Sequence, residues 1–217
     1  MNNEIEKTSI TDLEKIDKSF YRRETEKVAR NLLGKYLIRK NPEGITGGKI
    51  VETEAYLGER DPASHSAEGN VTERTEIMFG PPGHAYVYLI YGMYHCFNVI
   101  TEDEGKPESV FIRAIEPIYG INLMKKRRNI QIKNEDEPIE LTNGPGKLCI
   151  AMDIDDKMNG IDLLNDELFL AESGKSESFD ILKAKRINID YADEAKEWKL
   201  RYLIDGNPYL SKEPEYS

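Results

Sequence analysis

Val51-Glu52-Thr53-Glu54-Ala55-Tyr56 sets two carboxylates and a phenol at alternate positions, directly after the apolar start of a strand. A period of two puts Glu52, Glu54 and Tyr56 on one face, where a core strand would carry Val or Leu. Carboxylates are rarely buried without a partner or a task, so this face reads as a catalytic floor. The competing reading pairs the two glutamates with Arg or Lys across a sheet edge, and it applies with more force to Glu52 than to Glu54.

Working outward, the apolar pairs Val28 with Leu32 and Ala29 with Leu33 predict a helix over Glu24 to Leu33, stopped by Gly34. Lys35 to Arg39 and Lys49 to Tyr56 then read as strands around a turn at Asn41 to Gly48. Glu59 to Gly83 is polar, with Gly and Pro at both ends, and reads as a long loop, functional or disordered, carrying His65 between two serines. A surface histidine is the plainer alternative there. Tyr86 to Ile100 predicts a hairpin turning near Tyr91-Gly92, with Tyr86 and Tyr88 on one face and Tyr91 at the tip. An aromatic ring at a turn tip has little of its own chain to cover, which suggests a partner or a docking pocket elsewhere in the fold, and in a DNA-binding protein a wedge between base pairs. Ordinary strand packing is the alternative for the tyrosine cluster.

Val110 to Ile115 reads as an apolar strand interrupted by one guanidinium, Arg113, and Pro117 is expected to open a helix ending in Lys125-Lys126-Arg127-Arg128. Asn143-Gly144-Pro145-Gly146-Lys147 leads into a further helix, whose first amides could hold a phosphate, although the spacing is not that of a nucleotide-triphosphate loop. Phe169 to Ala171, Ile181 to Ile189 and Tyr202 to Ile204 supply short strands.

The chain has 217 residues, enough for one domain with a sizeable core. Its 30 basic residues face 40 acidic ones, for a net charge of −10, which counts against a nucleic-acid partner. The distribution counts the other way: residues 106–133 carry 7 basic and 2 acidic side chains. Such a patch can steer a polyanion or can simply be a solvated helix face. Cys96 and Cys149 sit among apolar neighbours and read as core thiols of a reducing compartment. With three histidines and no paired metal-ligand spacing, neither a metal nor a cofactor is expected. The sequence shows no apolar signal region or membrane-length stretch, so a soluble, cytoplasmic monomer with no membrane partner is expected.

These residues suit activation of water by a general base for attack on an acetal-like carbon, beside aromatic rings that could stack a base. The motifs narrow the reading. Glu52 to Gly58, Asp61 through Ser66, Tyr86 to Tyr94, Arg113 to Pro117, Asn143 to Leu148 and Arg201 to Pro208 follow one another in the order and spacing of the alkyladenine (3-methyladenine, methylpurine) DNA glycosylase family, which the chain closely resembles over residues 20–210. The resemblance implies an α/β fold: a single mixed domain with a curved antiparallel β-sheet, surrounding helices and a protruding β-hairpin, spanning residues 20–217 after an N-terminal tail of residues 1–19. It implies a monofunctional enzyme that excises alkylated or deaminated purines (3-methyladenine, hypoxanthine, ethenoadenine) from double-stranded DNA and leaves an abasic site. It assigns the general base to Glu54, with Arg113 beside the attacking water. Tyr56 and Tyr88 become the rings sandwiching the base, and His65 contacts base and backbone. Asn98 becomes the selectivity residue against guanine, and Tyr91 the residue that fills the gap left by the flipped nucleotide. A non-catalytic binder of modified purines and a hydrolase of free nucleosides are the rival readings. The former has no use for Glu54, and the latter none for a wedge at Tyr91.

Overall fold

The computed structural model describes residues 9–131, 138–174 and 177–214. The central element is strand β3 (Gly44–Tyr56), thirteen residues long, which continues the antiparallel hairpin begun by β2 (Tyr36–Asn41). The turn is tighter than the sequence suggests. Asn41 Oδ1 accepts the Glu43 N–H at 3.0 Å, and the strand begins at Gly44 rather than after Gly48. Gly47 and Gly48 therefore lie inside a strand, not a loop. The reason is steric: a Cβ on Gly48 would come to 2.1 Å of the Glu116 carbonyl oxygen, so two backbones pass where no side chain fits.

On its other side β3 pairs with β6 (Glu108–Tyr119) along most of its length, with register shifts near Gly47 and between Ile50 and Thr53. Such bulges add local twist and curve the sheet. Pro117 sits at the first of these irregularities, within β6, and opens no helix. A proline lacks the N–H that the ladder needs, and a bulge is where a sheet tolerates that loss. The helix begins four residues later, as α3 (Ile121–Arg128), after Gly120 turns the chain at φ +71°.

β5 (Tyr94–Thr101) pairs with β6, and β4 (Ala85–Ile90) closes that side as an antiparallel hairpin. On the opposite side, β7 (Leu168–Ser173) lies next to β2 and carries β1 (Leu13–Lys15) at its edge, so residues assigned by the sequence to an N-terminal tail extend the sheet. β8 (Ile181–Ala184) and β9 (Arg201–Ile204) form a further hairpin, and β9 adds to β3 at Glu52 to Glu54. The strand expected over Ile181 to Ile189 stops at Ala184. All these pairings are antiparallel.

Between α1 (Lys18–Tyr21) and β2 lies α2 (Thr25–Leu32), whose apolar stripe of Val28, Ala29 and Leu32 is fully buried. It ends where Gly34 takes φ +79°. Thr53 Oγ1 donates to the Ala29 carbonyl at 2.9 Å, and Ala55 joins the same core cluster. Thr53 and Ala55 thus face α2, which leaves Glu52, Glu54 and Tyr56 on the far face of β3. The principal core also takes in Leu148, Cys149, Ala151 and Met152 of α4 (Pro145–Met152).

The close approach at Gly48 is testable. Gly48→Ala must separate β3 from β6 at the centre of the sheet, and a loss of at least about 2 kcal/mol is expected, in the upper part of the range for single substitutions. A urea midpoint within error of the parent at unchanged slope would contradict that packing.

Candidate active site

Glu52 and Glu54, two residues apart on β3, are both wholly buried, and their environments differ in kind. Glu52 is held by four donors. Its Oε1 accepts from Arg113 Nε at 2.9 Å, Arg201 Nε at 2.7 Å and Ser211 Oγ at 2.8 Å, while Oε2 accepts the Ser211 N–H at 2.6 Å. Burial alone would disfavour its charge, yet the Arg113 and Arg201 guanidiniums hold the carboxyl below its ordinary value. Glu54 accepts the Ile187 N–H at 2.8 Å on Oε1 and the Tyr56 hydroxyl at 3.0 Å on Oε2, with Arg113 Nη1 3.3 Å from Oε2. A carboxylate offers about four acceptor positions. Glu52 takes four protein donors, three of them crowded on Oε1, whereas Glu54 takes three and its Oε1 holds only the Ile187 N–H, which leaves room there for one more donor. Arg113 spans the pair, and the two carboxylates raise its already high pKa against the opposing effect of burial.

Tyr56 and Arg113 line a cleft of about 720 Å³, with Glu54 one hydrogen bond behind its wall. The hairpin supplies Tyr88, Tyr91, Tyr94 and Cys96 to this cleft; the first turn of α4 supplies Gly146 and Lys147. A segment after β8 supplies Ile187 to Ile189 and Tyr191. A small recess of about 40 Å³ shares Tyr56, His65, Tyr88 and Tyr191 with the cleft and is bounded also by Asn98 and Met78. Space of that size holds a few waters and no purine ring. Asn98 donates through Nδ2 to the Tyr86 carbonyl at 3.2 Å.

The geometry therefore brings Tyr56, His65, Tyr88 and Asn98 together around one recess, with Arg113 in the adjoining cleft wall. Tyr91 lies on the cleft rim at the hairpin tip. It is 73% exposed, and its backbone is held at φ +53°, a region that costs a bulky residue energy. Gly92 follows at φ +68°, and the Met93 N–H donates to the Ile90 carbonyl to close the turn. Leu89, Met93 and Tyr94 are exposed beside it. Cys96 is a buried thiol as expected, but it also borders the cleft, and burial raises its pKa to about 11. His95 stands opposite Leu89 on the hairpin and borders neither space.

Arg186 and Ile187 contribute without a sequence signal. Arg186, buried, forms a two-pronged ion pair with Asp61 at 2.5 and 2.8 Å, and its guanidinium carbon lies 4.6 Å from the centre of the Tyr56 ring. Ile187 acts through its backbone. Lys147 places an amine on the cleft wall, held 2.8 Å from Asn143 Oδ1, although the segments that carry the motif tyrosines contain no lysine. The basic run at the end of α3 does not act as one stripe. Arg127 is largely covered and binds Glu43 and the Ala151 carbonyl, Lys126 also binds Glu43, and Arg128 faces the cleft. The cleft wall carries four cationic side chains, Arg74, Arg113, Arg128 and Lys147, and no carboxylate among the residues that line it. Among the described residues, no group of three or more His, Cys, Asp or Glu could hold a metal ion.

His65 is engaged at both nitrogens. Arg74 Nη2 lies 3.4 Å from Nε2, which leaves Nδ1–H to donate to the Tyr86 hydroxyl at 2.8 Å. The crowding of the ring, and then the nearby Arg74 charge, lower its pKa to about 4. Solvent reaches part of the residue and softens that effect, but a ring below its ordinary 6.5 is neutral at pH 7 in either case. Between about 4 and 6.5 the unfolded chain binds a proton that the folded chain refuses, so this histidine subtracts stability as the pH falls through that window. An NMR titration of His65 should give a midpoint below 6.5, and Arg74→Met should raise it. A midpoint at or above 6.5 in the parent protein would refute the neutral ring.

The comparisons with known proteins agree with this architecture. The sequence pattern of the methylpurine-DNA glycosylase family matches residues 19–208. A protein of Clostridium acetobutylicum is 50% identical over 200 residues, covering 91% of this chain and 97% of its own length. One of Clostridium tetani is 50% identical over 202 residues, covering 91% and 99%, and one of Bacillus cereus 49% over 205 residues, covering 89% and 97%. All three are provisionally named 3-methyladenine DNA glycosylases. With the family pattern spanning nearly the whole fold and the relatives matched almost end to end, the chain belongs to the methylpurine-DNA glycosylase family.

Proposed function

We propose that this protein is a monofunctional DNA glycosylase that hydrolyses the N-glycosidic bond of alkylated or deaminated purines in duplex DNA. The observation that carries the reading is the unequal pair on β3: Glu52 takes four protein donors, two of them from guanidiniums, whereas Glu54 is held by Ile187, Tyr56 and Arg113 alone, keeps an open position on Oε1, and is joined through the Tyr56 hydroxyl to an aromatic cleft. In this reading a water donates to Glu54 and attacks C1′. Its oxygen forms the new bond, its proton passes to the carboxylate, and the glycosidic electron pair leaves with the purine. Arg113 fixes Glu54 and faces the sugar-phosphate. Tyr56 and Tyr88 hold the flipped base, His65 lends a neutral edge, and Asn98 meets the edge where guanine differs from hypoxanthine and adenine.

The strained, exposed Tyr91 favours duplex DNA over a free nucleoside, because a wedge has work to do only where a base has left a stack. The buried, partly open Glu54 favours catalysis over simple binding, since a binder would gain nothing from a desolvated carboxylate. No strand cleavage is expected. Lys147, the lysine in the cleft wall, is tied to Asn143 and does not border the recess between Tyr56 and Tyr88. The direct test is incubation with duplexes carrying hypoxanthine, ethenoadenine or 3-methyladenine, scored for free base and for an abasic site. Release of none of them by folded protein would end the glycosylase reading.

Glu54→Gln keeps the shape and removes the base, so excision should fall at least roughly 100-fold while lesion binding persists. Activity near the parent level would reassign the base. Asn98→Ala should raise excision of guanine-type lesions relative to hypoxanthine, by a factor of roughly ten to a hundred for an effect of one to three kcal/mol. An unchanged ratio would remove Asn98 from selection.

A further inference from the structure

The loop that follows β8 is fastened to the site by one buried ion pair, Arg186 with Asp61, whose chemistry exceeds what stability requires. Asp61 is used completely. Its Oδ2 accepts the Leu57 N–H at 3.0 Å and Arg186 Nη1 at 2.5 Å, while Oδ1 accepts the Ala63 N–H at 3.0 Å and Arg186 Nη2 at 2.8 Å. Arg186 Nη1 also donates to the Ala55 carbonyl at 3.0 Å, between Glu54 and Tyr56 on β3. The flat guanidinium packs against the Tyr56 ring. The next residue, Ile187, gives its N–H to Glu54. Tyr191, further along the same segment, donates to the Ala63 carbonyl at 3.2 Å, two residues before His65.

A single side chain thus ties together the strand that bears Glu54, the Tyr56 ring beside the recess, the loop leading to His65 and the amide that holds Glu54. Stability alone gives a poor account of it. Both partners are withdrawn from water, and Arg186 Nε has no acceptor among the described residues. Buried ion pairs are often no more stabilising than apolar residues of the same volume, and an unfilled donor adds to the cost. What the pair supplies, and an apolar plug would not, is direction. A rigid fork fixed by carboxylate and carbonyl oxygens sets the position of the following amide and the tilt of the neighbouring ring.

We propose that Arg186, held by Asp61, is a positioning residue of this site: it sets the Ile187 N–H on Glu54 and backs Tyr56 against the bound base. Arg186 touches no reacting atom and acts through Glu54 and Tyr56. The inference rests on the glycosylase reading for its consequence in catalysis, and on geometry alone for the placement of the Ile187 amide.

Removing only Arg186 would leave Asp61 charged and buried, a change that can unfold the protein, so the informative variants are the neutral pair Asp61→Asn with Arg186→Gln, and the conservative Arg186→Lys. Folding is checked by thermal melt, and two quantities are then read. The first, independent of activity, is hydrogen exchange at the Ile187 amide, which should quicken at least tenfold in the neutral pair while amides of β6 keep their protection. The second is single-turnover excision of hypoxanthine from duplex DNA. The maximal rate should fall at least tenfold with little change in the concentration giving half the maximal rate, and Arg186→Lys should recover part of the loss. Unchanged exchange at Ile187 in the folded neutral pair overturns the proposal, as does quickened exchange with an unaltered excision rate. If the parent protein itself releases no base, the glycosylase reading fails, and the exchange result still decides whether Arg186 sets the amide on Glu54.

Discussion

Two carboxylates on one face of a central strand would repel each other and resist burial, and the arrangement that makes them tolerable determines much else in this molecule. Arg113, reaching from β6, contributes Nε to Glu52 and Nη1 to Glu54, so one cation is shared between two anions. A second, Arg201 on β9, pairs with Glu52 and not with Glu54, and its Nη2 donates to the Lys212 carbonyl. β9 therefore has to lie against β3 at Glu52 to Glu54, and Ser211 has to fold back over Glu52 to complete its hydrogen bonds. Losing one partner from such a cluster would leave an uncompensated buried charge, at a cost of about 3–5 kcal/mol. The outcome is an asymmetric pair. Glu52 is an anchor held by four donors, and the charge it retains keeps Arg113 in place for Glu54.

Much of this was legible in the sequence because it rests on local periodicity. Alternation alone put Glu52, Glu54 and Tyr56 on one face, and Gly92 between two aromatic runs marked the hairpin tip, where the chain takes two successive positive φ values although only the glycine suits one. Pro117 was misleading for a physical reason: proline suits a helix start and a bulge equally, and only the register between β3 and β6 separates the two. Gly47 and Gly48 misled in the same way, being turn residues by composition and close-contact residues in fact.

Arg186 lay beyond any such reading. It meets Asp61 across 125 positions of chain, and nothing in Lys185-Arg186-Ile187-Asn188-Ile189 distinguishes a solvated strand end from a buried fork. The part of Ile187 that matters is a backbone N–H, which leaves no trace in residue type. Asp61 fell within a recognisable motif, but its role as the counter-charge of that fork is a property of the assembled loop. Site residues that act through backbone or through distant ion pairs are thus set by tertiary packing, whereas those presented on one strand are set by local pattern.

The same separation of local from global resolves the charge problem. A net charge of −10 sums over the whole chain, whereas the field at a concave surface is dominated by the groups that line it, behind low-dielectric walls. The cleft wall carries Arg74, Arg113, Arg128 and Lys147 without a lining carboxylate. Glu54, the acid behind that wall, already shares Arg113 with Glu52 and is screened from the mouth by the Tyr56 ring. A phosphate approaching the cleft would therefore meet cations first, while the acidic remainder of the surface repels the duplex elsewhere. Repulsion of that kind weakens nonspecific association more than it weakens a docked complex, because counterion release is gained only where basic groups face phosphates. On the proposed reading, an acidic surface around a cationic cleft would confine attraction for DNA to that cleft.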